Sequence, residues 1–303
     1  MHDIVIRSGN VVDGTGTKAR KADIAIDNGC ISDVGTNIGP GRREIDATGC
    51  LVTPGFVDVH THYDGQATWD PEMSPSSFHG VTTTVFGNCG VGFAPARPDS
   101  HDWLIQLMEG VEDIPGAALA EGIDWNWETF PEYLESLEEM PRVMDIATQV
   151  PHGSVRAYVM GERGARNEEP TADDLTAMAQ IVQEGIEAGA LGFTSSRTML
   201  HRALDGEPVP GTFAGAEEII ALGEAVAKAG GGVIEVASDI GLGGLEGNFG
   251  TDIEWMRELA SKYGLTVTYA LTQADREPQQ WRDLLELSSA PLEGAGRVIA
   301  QVA

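Results

Sequence analysis

Two histidines separated by a single residue stand behind an apolar run in "GFVDVHTHYDG", residues 55 to 65. If that run is a strand, His60 and His62 project from one face, because strand side chains alternate with period two. A buried parallel strand is ordinarily apolar, and two imidazoles on it need partners. One divalent cation would satisfy both, and so would a separate backbone hydrogen bond for each ring; the spacing alone leaves both readings open. Cys89 is the next candidate. "GVTTTVFGNCGVGFAP" reads as a β-branched strand, Val81 to Phe86, followed by a glycine-flanked turn that sets the cysteine just past the strand's C-terminal end. A thiolate there is a zinc ligand by chemistry, although a buried free cysteine also packs as a small hydrophobe. Further along, "VPHGSVR" supplies His152 and Arg156, and "GFTSSRTMLHR" supplies Ser195, Ser196, Arg197 and His201. A guanidinium at a strand end suits a carboxylate-bearing small molecule, which it grips bidentately. A salt bridge is the other reading of Arg197, and a purely structural role that of His152 and His201. The chain has no Walker-type glycine loop, GxSxG elbow or CxxC pair, so three common chemistries lack their parts.

These residues need a scaffold that brings strand ends together. Residues 1–52 carry short β-branched runs separated by Gly, Asp and Asn turn chemistry, which predicts a small antiparallel sheet. From residue 53 strand-like runs alternate with helix-length amphipathic segments, the pattern of βα units and a parallel sheet. In "TADDLTAMAQIVQEGIEAGALGFTSS", Thr171 caps a helix with Asp174 three residues on, Leu175, Met178 and Val182 make the apolar stripe, and Gly189 stops it before a strand. Units with breaks at Gly230 to Gly232 and at Gly264 repeat the plan. The expected architecture is α/β, a TIM-like (β/α)8 barrel over 53–303 with about seven strands present, counting a last one in "GRVIAQVA". A long insertion, 94–142, carries Trp103, Trp125, Trp127, Phe130 and Tyr133, read as packing anchors of an extra helical layer in preference to a substrate lid.

Charge limits the partners. The 19 Lys and Arg against 47 Asp and Glu give a formal charge of −28, a field that repels nucleic-acid phosphates and anionic membranes. No apolar run approaches the ~20 residues that span a bilayer, and the N-terminus does not read as a secretory signal. Three scattered cysteines, Cys30, Cys50 and Cys89, make no disulfide framework. The expectation is a cytoplasmic protein with a small-molecule substrate.

The motifs resemble the amidohydrolase superfamily, and more narrowly its N-acyl-D-amino-acid deacylase (D-aminoacylase) branch. "DIVIRSGNVVDGTG", "ADIAIDNGCISDVG" and "IDATGCLVTPGFVDVHTHYD" are similar to the superfamily's opening, which implies that 1–52 is part of a small β-sandwich leading into the barrel, and "GVTTTVFGNCGVGFAP", "WNWETFPEYLESL", "VPHGSVR" and "ALGFTSS" are similar to the deacylase branch. The resemblance implies a Zn2+-dependent hydrolase of non-peptide amides, with His60, His62 and Cys89 as metal ligands and His152, Ser195 and Arg197 facing the substrate. It also implies further histidine ligands on strands five and six, where this chain reads "VIEVASD" and "TYALTQAD". Glu235, Asp239 or Gln273 replaces them only if its side chain turns inward. The catalytic aspartate of the family comes from strand eight, beyond residue 303, so the chain resembles an incomplete member with open sheet edges prone to self-association. A cyclic amidase of the hydantoinase or dihydropyrimidinase kind is the alternative, though "ALGFTSSRT" lacks the lysine those enzymes place on strand four. A non-catalytic metal-binding chain is the other.

Overall fold

Alternating apolar and polar residues write the first sheet, which contains β1 (His2–Val11), β2 (Arg20–Asp27), β3 (Cys30–Gly35), β4 (Gly41–Asp46) and β5 (Leu51–Val52). Val11, Ala22 and Ile24 form a buried cluster, and Val5 and its cross-strand partner Ala25 are buried as well. Asn28 and Gly29, both at positive φ, close the β2–β3 hairpin as a two-residue turn. The sheet is not the all-antiparallel one expected: β4 and β5 both run parallel to β1. The order β3-β2-β1-β4 explains this, because residues 36–40 carry the chain across the sheet and back to the starting end of β1, so that β4 runs in the same sense as β3 and β1.

The structure, a computed structural model, describes residues 1–241, 252–275 and 277–302, and divides into two compact units, Met1–Phe56 and Val57–Ala303. Ala303, the last residue of the expected closing strand, lies outside the described residues. In the larger unit β6 (Phe56–Asp58) and β7 (Val81–Phe86) are followed by α1 (His101–Glu112), α2 (Gly116–Gly122) and α3 (Phe130–Glu139). Next come β8 (Asp145–Thr148), β9 (Val150–Pro151), α4 (His152–Met160), α5 (Glu162–Ala165), α6 (Ala172–Glu187) and β10 (Gly192–Arg197). The chain continues through α7 (Ala216–Lys228), β11 (Val233–Ser238), α8 (Asp252–Tyr263), β12 (Thr266–Ala270), α9 (Gln280–Ser289) and β13 (Arg297–Gln301). One sheet has the order β6-β7-β8 and the other β13-β12-β11-β10-β9, with Gln149 alone separating β8 from β9. Because the pairs from β9 to β13, and β7 with β8, are parallel, their C-terminal ends gather on one side.

Local rules hold the helices in place. Thr171 and Asp174 form the expected capping box, each side chain serving the other's backbone N–H. Met178 and Val182 of α6 are fully buried, a contribution of about 1.5–3 kcal/mol each. Segment 94–142 is helical and its aromatic residues are anchors: Trp127 Nε1 donates to the Phe93 carbonyl at 2.8 Å and Tyr133 Oη to the Asp64 carbonyl at 2.7 Å. No helix among the described residues is long and apolar enough to cross a membrane.

Candidate metal centre

His60 and His62 lie just beyond β6, which ends at Asp58, and not on the strand itself. Their common direction survives because Thr61 between them is bound to β7. Its N–H donates to the Val85 carbonyl at 3.0 Å and its hydroxyl to the same oxygen at 2.8 Å, so the flanking imidazoles share the opposite side. The apolar residues expected to be covered on both faces are not: Val57 and Val59 are 58% and 52% exposed. β6 is the outer strand of its sheet.

Cys89 sits in a turn that only small residues on either side permit. Its own φ is 56°, a left-handed conformation unusual for a side-chain-bearing residue, between Gly87 and Gly90 at 78° and 69°. A Cβ on Gly87 would come within 2.3 Å of the Gln149 carbonyl oxygen, and one on Gly90 within 2.7 Å of the Ser196 nitrogen. Asn88 braces the turn by donating to the carbonyls of Thr61 at 3.1 Å and Val85 at 3.0 Å, and Gln149 Nε2 donates to its Oδ1 at 2.8 Å. The Cys89 N–H donates to Glu235 Oε2 at 2.8 Å.

These supports bring His60, His62 and Cys89 together. One donor atom from each lies within 4.8 Å of the others, and His60 Nε2 is 3.1 Å from the Cys89 sulfur. Gln301 Oε1 is 2.8 Å from His60 Nδ1, which leaves Nε2 for the centre. Cys89 belongs to a second such group with Glu112, at the end of α1, and His201, after β10, again within 4.8 Å. His62 Nε2 lies 3.2 Å from Glu112 Oε1, and Glu235 Oε1 is 3.9 Å from His60 Nδ1.

Burial dominates the electrostatics. Desolvation lowers the His62 pKa to about 3, helped by the charges of His60 and His201, and lowers that of His201 to about 4. It raises Glu112 and Glu235 to about 7 and Asp64 to about 8. The Cys89 thiol is pushed well above its ordinary value by burial first, then by Glu235 and Glu112. The His62–Glu112 contact therefore joins a neutral imidazole to a carboxyl and is no strong ion pair. His62 Nδ1, Glu235 Oε1 and Asp64 Oδ2 are buried with no hydrogen-bond partner. A packed interior rarely tolerates such groups, each of which costs about 1–3 kcal/mol. A divalent cation fits this set: neutral imidazoles, a thiol and carboxyls are its ligands, and its charge reverses the pressure that burial puts on the acids.

The three residues expected to face substrate have internal partners instead. His152 is fully buried, with Nδ1 2.9 Å from Ser195 Oγ and Nε2 2.9 Å from Glu218 Oε1, and Arg156 also bonds Glu218. Arg197 grips a carboxylate, but that of Asp252, at 3.0 Å and 3.3 Å, and it also donates to the carbonyls of Thr212 and Ala214. Of the possible replacements for the strand-five and strand-six histidines, Glu235 turns inward. Asp239 is committed to Thr198 and to the Met199 N–H at 2.8 Å, and Gln273 is exposed. Glu112 is the residue that sequence reasoning missed. It sits in the inserted segment with no motif around it, and the one signal was a carboxylate at a helix C-terminus, where the dipole disfavours it.

The Amidohydrolase family model matches residues 43–300, and the chain belongs to that family. D-aminoacylase of Alcaligenes xylosoxydans xylosoxydans is 32% identical over 196 residues, which cover 64% of this chain and 37% of that protein. A D-aminoacylase structure described for its binuclear metal center superposes with a TM-score of 0.78 at 26% identity, over 100% of this chain and 58% of that one. N-acyl-D-glutamate deacylase from Bordetella bronchiseptica, solved with zinc and a phosphonate inhibitor, gives a TM-score of 0.75 at 25% identity, over 99% and 58%. The fold is thus TIM-barrel-like α/β. The chain spans little more than a third of the length of the curated relatives it matches, 36% and 37%.

Proposed function

We propose that this chain serves a zinc-dependent amidohydrolase that removes the acyl group from an N-acyl-D-amino acid. The observation that carries the reading is the convergence of His60, His62 and Cys89 donor atoms within 4.8 Å, in a family whose similar members include enzymes named for D-amino-acid deacylation. Zinc bound there supplies a water of near-neutral pKa and a Lewis acid for the amide carbonyl.

The chain's own residues prepare that site. Gln301 at 2.8 Å from Nδ1 orients the His60 ring so that Nε2 faces the centre. Glu235 accepts from the Cys89 N–H at 2.8 Å and so fixes the left-handed turn that presents the sulfur. Asn88 and Gln149 lock that turn to β7 and to the end of β8. Held this way, the three donor atoms stay within 4.8 Å of one another. His152 and Ser195 support the strand ends from within, and the Arg197–Asp252 pair ties β10 to α8.

The test is hydrolysis by zinc-loaded protein of N-acetyl-D-amino acids, their L-enantiomers and hydantoins in parallel. The expected result is turnover of the D-series, none of hydantoin, and loss on chelation or in His60→Ala. Activity that is indifferent to chelation and to His60→Ala, or a preference for hydantoin, contradicts the reading.

A further inference from the structure

The inserted helix α1 ends at the centre, and its last turn is built to approach the segment after β10. A Cβ on Gly110 would lie 2.6 Å from backbone atoms of Arg202, Ala203 and Leu204, so a glycine there is what allows contact this close. The approach carries Glu112 and His201 to the Cys89 sulfur, with one donor atom of each within 4.8 Å of the others. Ser196 Oγ holds His201 Nδ1 at 3.2 Å, which leaves Nε2 as the donor.

Among the described residues no lysine or arginine forms an ion pair with this carboxylate. Glu112 closes a twelve-residue helix with no basic residue in its last turn, at the end where the helix dipole repels negative charge. Its contact is His62 Nε2 at 3.2 Å, and Glu235 Oε1, 1% exposed as a residue, lies nearby without a hydrogen-bond partner. A cation supplies the missing charge at this one place. Thiolate, imidazole and carboxylate together suit zinc or cobalt, and a sulfur ligand argues against calcium or magnesium.

We propose that Glu112 and His201 are metal ligands, joining Cys89 to hold a divalent cation and thereby tying helix α1 of segment 94–142 to the strand ends. The assignment rests on the zinc reading above and extends it to two residues outside the strand-end histidine pattern. The ion then adds one more fastening of α1 to the strand ends, beyond the core packing of Leu104, Leu107 and Met108.

Two measurements on the purified full chain test this. In the first, zinc affinity is read by chelator competition and the cobalt(II) derivative by absorption, for wild type, E112Q and H201N, with metal-free circular dichroism as the folding control. Each variant is expected to lose affinity at least ~10-fold, the scale at which even groups that only support a ligand act. The ligand-field bands shift in both variants, while the thiolate-to-cobalt band persists and disappears in Cys89→Ser. In the second, hydrogen exchange of the wild type shows slower exchange in 101–112 on adding zinc. Affinity and bands unchanged in both variants, or no added protection of α1, overturns the assignment. If hydrolysis persists with those results, the deacylase reading stands while this one falls; wild-type protein that takes up no zinc overturns both.

Discussion

Two buried polar clusters sit at neighbouring strand ends and differ in one respect. Around His152 both ring nitrogens are engaged, by Ser195 and by Glu218, and Glu218 also holds Arg156, whose Nε alone in this cluster lacks a hydrogen-bond partner. Around Cys89 the histidines, carboxyls and thiol face one another, and His62 Nδ1, Glu235 Oε1 and Asp64 Oδ2 have no partner. Serine, histidine and glutamate in the first cluster have the composition of a catalytic relay, yet they are buried and mutually satisfied, so they act as internal bracing. The second cluster has more of its polar capacity left over, and its donor atoms converge within 4.8 Å, the arrangement that the proposed cation would use.

The contrast predicts opposite responses to the loss of an acid. Burial raises Glu218, but the hydrogen bonds and charges of His152 and Arg156 outweigh it and leave its pKa lowered. Glu218→Gln therefore strands a buried guanidinium and should cost about 3–5 kcal/mol, read as a lower denaturant midpoint. Zinc at about 100 times its dissociation constant should stabilise the wild type by about 2.7 kcal/mol, a gain expected to vanish in Cys89→Ser. Metal-free Glu235→Gln should be more stable than wild type by about 1–3 kcal/mol at pH 8 and no more stable at pH 5. The sign follows from burial. The folded pKa of Glu235 is raised to about 7, so the favourable protonated state is fully present below the ordinary 4.5 and is lost as pH rises through 7. If Glu235→Gln instead destabilised at pH 8, the two clusters would be alike. The smallest effect belongs to Ser196→Ala, which removes the bond at 3.2 Å to His201 and should cost about 0.5–1.5 kcal/mol in thermal unfolding.

The same contrast separates what the sequence could say from what it could not. Periodicity and capping are local, so the helix at 172–187 with its Thr171 cap and Gly189 stop was readable, as was the succession of parallel strands. The spacing of "HTH" and the turn of "GNCG" left metal binding open, and the family resemblance made these residues ligand candidates; what was local is their geometry, since Thr61 fixes the shared face of the histidines and two glycines permit the turn at Cys89. His152, Ser195 and Arg197 carried the same signal of polar residues at strand ends. Whether Glu218 and Asp252, 66 and 55 residues away, consume their hydrogen bonds is a tertiary fact. Glu112 was illegible for the same reason, since its role depends on how α1 folds back at Gly110. The mixed pairing of the first sheet was hidden in the crossing at residues 36–40, which no alternation pattern encodes.

The central claim is that the surplus donors around Cys89 are a metal site, and X-ray absorption at the zinc edge of the loaded protein examines it most directly. The account predicts one sulfur at about 2.3 Å with nitrogen and oxygen neighbours at about 2.0–2.2 Å, the sulfur vanishing in Cys89→Ser. A zinc shell with no sulfur in the wild type, or a shell unchanged by Cys89→Ser, would contradict it.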